Sequence, residues 1–143
     1  MQEPTEAVRE LFESFELLDD WQDRYRYIIE LGRSLPPLPE GARNAETKVK
    51  GCMSQVWLVA ERLEGEPPRL RLLADSDAHI VRGLVAILLQ IFSERTAAEI
   101  LATDPRPIFA ELGLDKHLSA GRSNGLLSMV GRIKDLAQEA SAG

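Results

Sequence analysis

Residues 56–72 read Val-Trp-Leu-Val-Ala-Glu-Arg-Leu-Glu-Gly-Glu-Pro-Pro-Arg-Leu-Arg-Leu, and they decide the fold. Val56, Trp57, Leu58 and Val59 are the clearest strand signal in the chain, because β-branched and aromatic side chains fit a pleated, half-buried surface. Glu64 to Pro68 is a reverse turn. Leu70 and Leu72 then alternate with Arg69 and Arg71, the pattern of a strand with one wet face. Two such runs joined by a turn predict an antiparallel hairpin. The next segment, Ile80 to Phe92, is apolar almost all the way round, interrupted only by Arg82 and Gln90. It is too short to span a bilayer. It predicts a central buried helix packed on the hairpin and capped by Ser76 or Asp77. The fold class expected is therefore α+β, a small antiparallel sheet packed by helices.

Working outward, Val8, Leu11, Phe12, Phe15 and Leu18 recur at helical spacing with acids on the opposite side, which predicts an acidic N-terminal helix within residues 1–18. Asp19 or Asp20 can cap a second helix whose buried stripe is Trp21, Tyr25, Ile28 and Ile29. The three prolines of Leu35-Pro36-Pro37-Leu38-Pro39-Glu40-Gly41-Ala42 enforce a loop. Thr47 to Lys50 predicts a brief strand. Thr96-Ala97-Ala98-Glu99 has the spacing of a capping box, opening a short helix. Pro105 and Pro107 break regular structure after that helix, and a last helix runs from near Ser119 through Leu126, Met129, Val130 and Ile133. Repeats and interdomain linkers are absent from the 143 residues, so the expectation is one domain over 1–143.

Hydrophobic content of 44% and charged content of 28% belong to a folded chain rather than a disordered one. A single cysteine forms no internal disulfide. The acidic start, without a basic and then apolar leader, and the lack of a run of roughly 18 apolar residues point to a cytoplasmic protein with no membrane partner. Charge is uneven. Residues 1–20 hold Glu3, Glu6, Glu10, Glu13, Glu16, Asp19 and Asp20 against Arg9 alone, so the whole net charge of −6 lies there. A nucleic-acid binder carries the opposite sign. The acidic segment is a solvated helix face, or a steering surface for a basic partner.

Cys52 is the residue that points most directly at chemistry. Gly51 before it permits backbone angles other residues avoid. Gly51 and Ser54 are turn formers, and the cysteine lies on a loop between two strand-like runs. Lys48 and Lys50 nearby favour the thiolate. An unpaired cysteine is otherwise a small buried hydrophobe. A cysteine hydrolase needs a base within reach, and only His79 and His117 are available, the one beside a helix cap and the other in a helix connection. A metal or iron–sulfur site wants several soft ligands, and one cysteine with Asp75, Asp77 and a distant histidine is a weak set, so no metal is expected. Sulfur relay needs one accessible thiolate that attacks the outer sulfur of another protein's persulfide, and no internal base.

The motifs Gly51-Cys52-Met53-Ser54-Gln55-Val56-Trp57, Asp75-Ser76-Asp77 before an apolar helix with Gly83-Leu84, and His117-Leu118-Ser119 with Arg122 and Gly125-Leu126 resemble the SufE family, which includes the similar CsdE proteins. Tyr27-Ile28-Ile29-Glu30-Leu31-Gly32, followed by Leu35-Pro36, fits as well. The resemblance runs in order over roughly residues 20–130. It implies a fold similar to the iron–sulfur scaffold fold, and a sulfur acceptor that stimulates a SufS- or CsdA-like cysteine desulfurase and passes sulfur on for iron–sulfur cluster assembly. It places pyridoxal phosphate on that partner and no cofactor on this chain, and it leaves open whether such a co-substrate counts as an enzyme. The family's sulfur-carrying cysteine matches Cys52, Asp75 and Asp77 match an acidic pair near the loop, and Arg122 matches an arginine on the last helix. Met53 stands where many members carry glutamine. A carrier should shield the sulfur, with Met53, Val56 and helix 80–92 as candidate lining, and should swing the loop outward on Gly51. The rival expectation is a regulatory interaction protein acting through its acidic helix, with Cys52 structural; a one-cysteine redox sensor is a third.

Overall fold

The hairpin forms as its alternation dictates. In the computed structural model, which describes residues 5–52 and 54–142, β1 (Val56–Leu63) pairs antiparallel with β2 (Arg69–Ser76), Val56 opposite Ser76 and Leu63 opposite Arg69. Leu70 and Leu72 point into the core while Arg69 and Arg71 stay exposed. A third strand, β3 (Arg95–Thr96), adds to β2 through Arg69 and Leu70, completing a sheet of order β1-β2-β3. Two residues carry no alternation, so that strand leaves no signal in the sequence. Thr47 to Lys50 does not make the brief strand expected of it. It forms a single bridge, Lys48 to Trp57, at the edge of β1.

The apolar segment makes α3 (His79–Phe92), with ten of its fourteen residues buried. Each Leu or Ile wholly withdrawn there, such as Leu84, Ile87 and Ile91, contributes about 1.5–3 kcal/mol by leaving water. Its N-cap position falls on Ala78, without a side-chain cap. The cap expected from Ser76 or Asp77 is absent because both oxygens are taken elsewhere. Ser76 Oγ accepts from Ala78 N–H at 3.2 Å and Asp77 Oδ1 from Gln55 N–H at 3.0 Å.

Against α3 lies α2 (Trp21–Arg33), capped by Asp20 through Asp23 N–H. Of the expected stripe only Ile28 is fully buried; Trp21, Tyr25 and Ile29 are half-buried. The two helices meet at glycines: a Cβ on Gly83 would overlap the Ile28 carbonyl and lie 2.5 Å from Ile28 Cγ2. The acidic helix α1 (Glu6–Glu16) buries Val8, Leu11 and Phe15, and it stops before Leu18. Its N-cap is Thr5, and Glu3 lies outside the described residues. Thr96 and Glu99 form the expected capping box at the start of α4 (Ala97–Ala102). Pro105 and Pro107 do more than break the chain. Pro105 is the N-cap of α5 (Arg106–Leu112) and Pro107 its second residue, where a missing N–H costs nothing. After α6 (Leu114–His117), α7 (Ala120–Ala142) runs across the sheet and α4 as the last helix.

Candidate functional site

Cys52 sits on a loop closed at its base by backbone pairing. Val49 N–H donates to Val56 O at 2.8 Å and Leu58 N–H to Thr47 O at 2.9 Å, so the chain on either side of Cys52 is pinned together. Gly51 stands at the turn with φ +87°, in the left-handed region where a side chain is strained. A Cβ there would also come within 2.6 Å of Ser128 Oγ. Downstream the loop is fixed to β2: Gln55 N–H donates to Asp77 Oδ1, and Asp77 N–H donates back to Gln55 O at 3.2 Å.

The approach to the loop is held by charge. Asp75, opposite Trp57 in the hairpin, accepts a hydrogen bond from Arg43, whose guanidinium lies 5.7 Å from the centre of the Trp57 ring. Arg82 Nε of α3 stands 2.9 Å from the other carboxylate oxygen, a charge contact without hydrogen-bond alignment. Burial pushes the Asp75 carboxyl up, but the Arg43 and Ser76 hydrogen bonds and the Arg82 and Arg43 charges outweigh it and hold it below the ordinary value. Asp75 and Asp77 thus tie strands, loop and α3 together. Arg43 carried no signal in the sequence, since nothing in a glycine- and asparagine-containing loop marks one arginine as a partner of a residue 32 positions away.

The thiol itself is half-buried and turned against α7. Cys52 S–H donates to Gly125 O at 3.5 Å, and Ser128 O–H donates to Gly51 O at 3.5 Å. An ideal Cβ on Gly125 would lie 3.8 Å from Cys52 Sγ, an ordinary contact distance, so the loop packs closely on this turn of α7. Burial pushes the Cys52 thiol up, with no offsetting charge among the causes. This corrects the expectation that Lys48 and Lys50 favour the thiolate: both are exposed, and desolvation wins.

A cleft of about 410 Å³ opens beside the sulfur. Its apolar walls are Val81 and Leu84 of α3 and Met129 of α7; Ser54, Ser119 and Arg122 supply its polar groups, and Gly121 and Gly125 complete it. The expected cover from helix 80–92 is present. Val56 faces a separate small cavity in the core instead, because β1 alternates and its inward side lies under α3, and Met53 lies outside the described residues. Arg122 on the last helix was singled out in the sequence, but the lining from Gly121, Gly125 and Met129 was not, although their i, i+4, i+8 spacing marks one helix face. Arg122 is exposed and enters no ion pair among the described residues. Cys52, Ser54 and Arg122 therefore share one cleft, while Asp75 and Asp77 stand behind the loop as its supports.

Neither histidine lines the cleft. His117 stacks on Trp21 with ring centres 4.4 Å apart, and His79 opens α3. Among the described residues, His, Cys, Asp and Glu nowhere gather in threes that could hold a metal ion, and no helix is long and apolar enough to cross a membrane.

Comparison with known proteins addresses the fold and the family. A solution structure of a hypothetical protein from Thermus thermophilus superposes with a TM-score of 0.78 over 99% of this chain and all of that one; at 20% identity this shows the fold alone. An uncharacterized SufE-like protein of Rhizobium meliloti (strain 1021) is 53% identical over 133 residues, 92% of this chain and 95% of the relative. A second, from Rhizobium etli, is 53% identical over 138 residues, 95% of this chain and 93% of the relative. The family model described as SufE, Fe-S metabolism associated domain, matches residues 9–137, and the chain belongs to the SufE family.

Proposed function

We propose that this protein is a sulfur acceptor and carrier whose single thiol, Cys52, takes sulfur from the persulfide of a pyridoxal-phosphate cysteine desulfurase. The Cys52 thiolate attacks the outer sulfur; a new S–S bond forms to Cys52, and the desulfurase cysteine leaves as its thiolate. Relieved of its persulfide, the desulfurase turns over faster. The carrier then delivers the sulfur to a downstream acceptor or scaffold for iron–sulfur cluster assembly, a reaction we place in the cytoplasm. No cofactor on this chain is needed for the exchange.

The observation that carries this reading is the placement of the only cysteine: on a loop tip, half-covered by a cleft, in a chain of an iron–sulfur metabolism family. Cys52 packs against the core on one side and opens to the cleft on the other, as a carrier thiol requires. The resting loop is tucked in. That suits a carrier, because cover slows loss of the persulfide up the oxidation ladder. It also means that docking must free the sulfur, since the covered thiol is held in its unreactive form. Desulfurase turnover in the presence of wild-type protein and of Cys52→Ser tests the reading. Stimulation is expected from the wild type and none from a folded Cys52→Ser; equal stimulation by both would establish the interaction protein instead.

A further inference from the structure

The cleft beside Cys52 is larger than sulfur storage requires. A water molecule occupies about 30 Å³ of liquid, and one sulfur atom is of the same order. The volume of about 410 Å³ falls instead in the range of small-molecule sites. Its lining joins the apolar Val81, Leu84 and Met129 to the polar Ser54, Ser119 and Arg122.

The charge is just as uneven. Asp75 is engaged by Arg43 and Arg82, and Asp77 by the Gln55 amide, so the nearby carboxylates are spoken for. Arg122, in contrast, lines the cleft and has a guanidinium that no described carboxylate engages, in a chain of net charge −6. It lies three positions before Gly125, whose carbonyl receives the Cys52 thiol, and so sits about one turn, on the order of 5 Å, along the same helix face. A cleft of this size that holds both a thiol and an arginine suits a small molecule carrying a thiol and a carboxylate.

We propose that this cleft seats a small carboxylate-bearing thiol, with its carboxylate on Arg122 and its sulfur facing Cys52, as an acceptor of the carried sulfur. The proposal rests on Cys52 carrying a persulfide. The incoming thiol, having lost its proton to solvent, attacks the outer sulfur. A bond forms between the attacking and the attacked sulfur, the Cys52 Sγ–S bond breaks, and Cys52 leaves as a thiolate that takes a proton from solvent. The products are the reduced protein and a small persulfide, with no oxidant or reductant consumed.

Two measurements test the seat. The first compares alkylation of Cys52 by iodoacetate and by iodoacetamide, each normalised to a free small thiol, in wild type, Arg122→Gln and Lys50→Gln. We expect an iodoacetate preference on the order of fivefold, the scale of one exposed charge-assisted contact, lost in Arg122→Gln and kept in Lys50→Gln. No preference, or equal loss in both variants, overturns the proposal. The second uses protein whose Cys52 persulfide is made by displacing a mixed disulfide with hydrosulfide, so that no desulfurase is involved and failure of the partner reading is seen separately. Discharge by 3-mercaptopropionate should outpace that by 2-mercaptoethanol, after normalisation, by a similar factor that Arg122→Gln removes. If Arg122→Gln leaves both small-molecule readouts unchanged but slows loading from the desulfurase, the guanidinium faces a partner's carboxylate and the proposal falls.

Discussion

Cys52 and Gly51 divide the work of one turn. The glycine supplies a φ of +87° and an empty Cβ position against Ser128, and the cysteine uses that path to rest on Gly125. Gly51→Val should cost about 1–3 kcal/mol for left-handed backbone on a β-branched residue, read from urea unfolding. It should also slow loading of Cys52 by a desulfurase by about tenfold or more; normal loading by the variant would remove Gly51 from the account. Because burial favours the neutral thiol, the pH profile of Cys52 alkylation in the folded protein should have its midpoint above the ordinary 9.0, and urea should return it to that value. The sign carries over to stability, which should decline as pH rises past 9.0, since the unfolded chain then binds fewer protons. The position of Cys52 on a loop was legible from Gly51 and Ser54 and the strand signal after them. Its protonation was not, because two lysines look close in sequence whereas the covering groups belong to α3 and α7.

At the scale of elements, the loop is a problem of anchoring. Its two supports, Asp75 and Asp77, sit at the end of β2, and only the hairpin register brings Asp75 opposite Trp57 and within reach of Arg43. The folded-state carboxyl of Asp75 is depressed, so its contribution is complete above the unfolded value near 3.8 and fades as pH falls below it. Asp75→Asn should therefore destabilise at neutral pH by roughly 1–2 kcal/mol and flatten the acid limb of the unfolding curve; an unchanged limb would show that the charge contributes nothing. The α2–α3 contact predicts a different failure. Gly83→Ala forces Ile28 away and should cost roughly 2–3 kcal/mol by overpacking. Because Val81 and Leu84 wall the cleft from the same helix, Cys52 alkylation should accelerate in that variant; a rate at the wild-type level would uncouple helix packing from the cover. Periodicity revealed α1, α2, α3 and α7 because each is held by a buried face visible in the spacing. It missed β3, and it misplaced the cap of α3, since hydrogen bonds to residues as distant as Gln55 leave no local trace.

Taken whole, the molecule separates charge from chemistry. Glu6, Glu10, Glu13 and Glu16 line the solvent side of α1, while Cys52 and Arg122 meet in a cleft framed by α3 and α7. The α+β class and the hairpin-plus-central-helix core were legible because the strongest hydrophobic signals are also the most buried residues, Leu72, Leu84, Ile87 and Leu88 among them. The cleft was not legible, since its walls come from the Cys52 loop, α3 and α7, which are far apart in sequence. The proposed function turns on a single sulfur atom. Intact-protein mass spectrometry, after incubation with a cysteine desulfurase and cysteine in the absence of reductant, tests it most directly. A gain of about 32 Da, one sulfur, is expected on the wild type and none on Cys52→Ser. No gain with a cognate desulfurase, while Cys52 still reacts with alkylating agents, would contradict it.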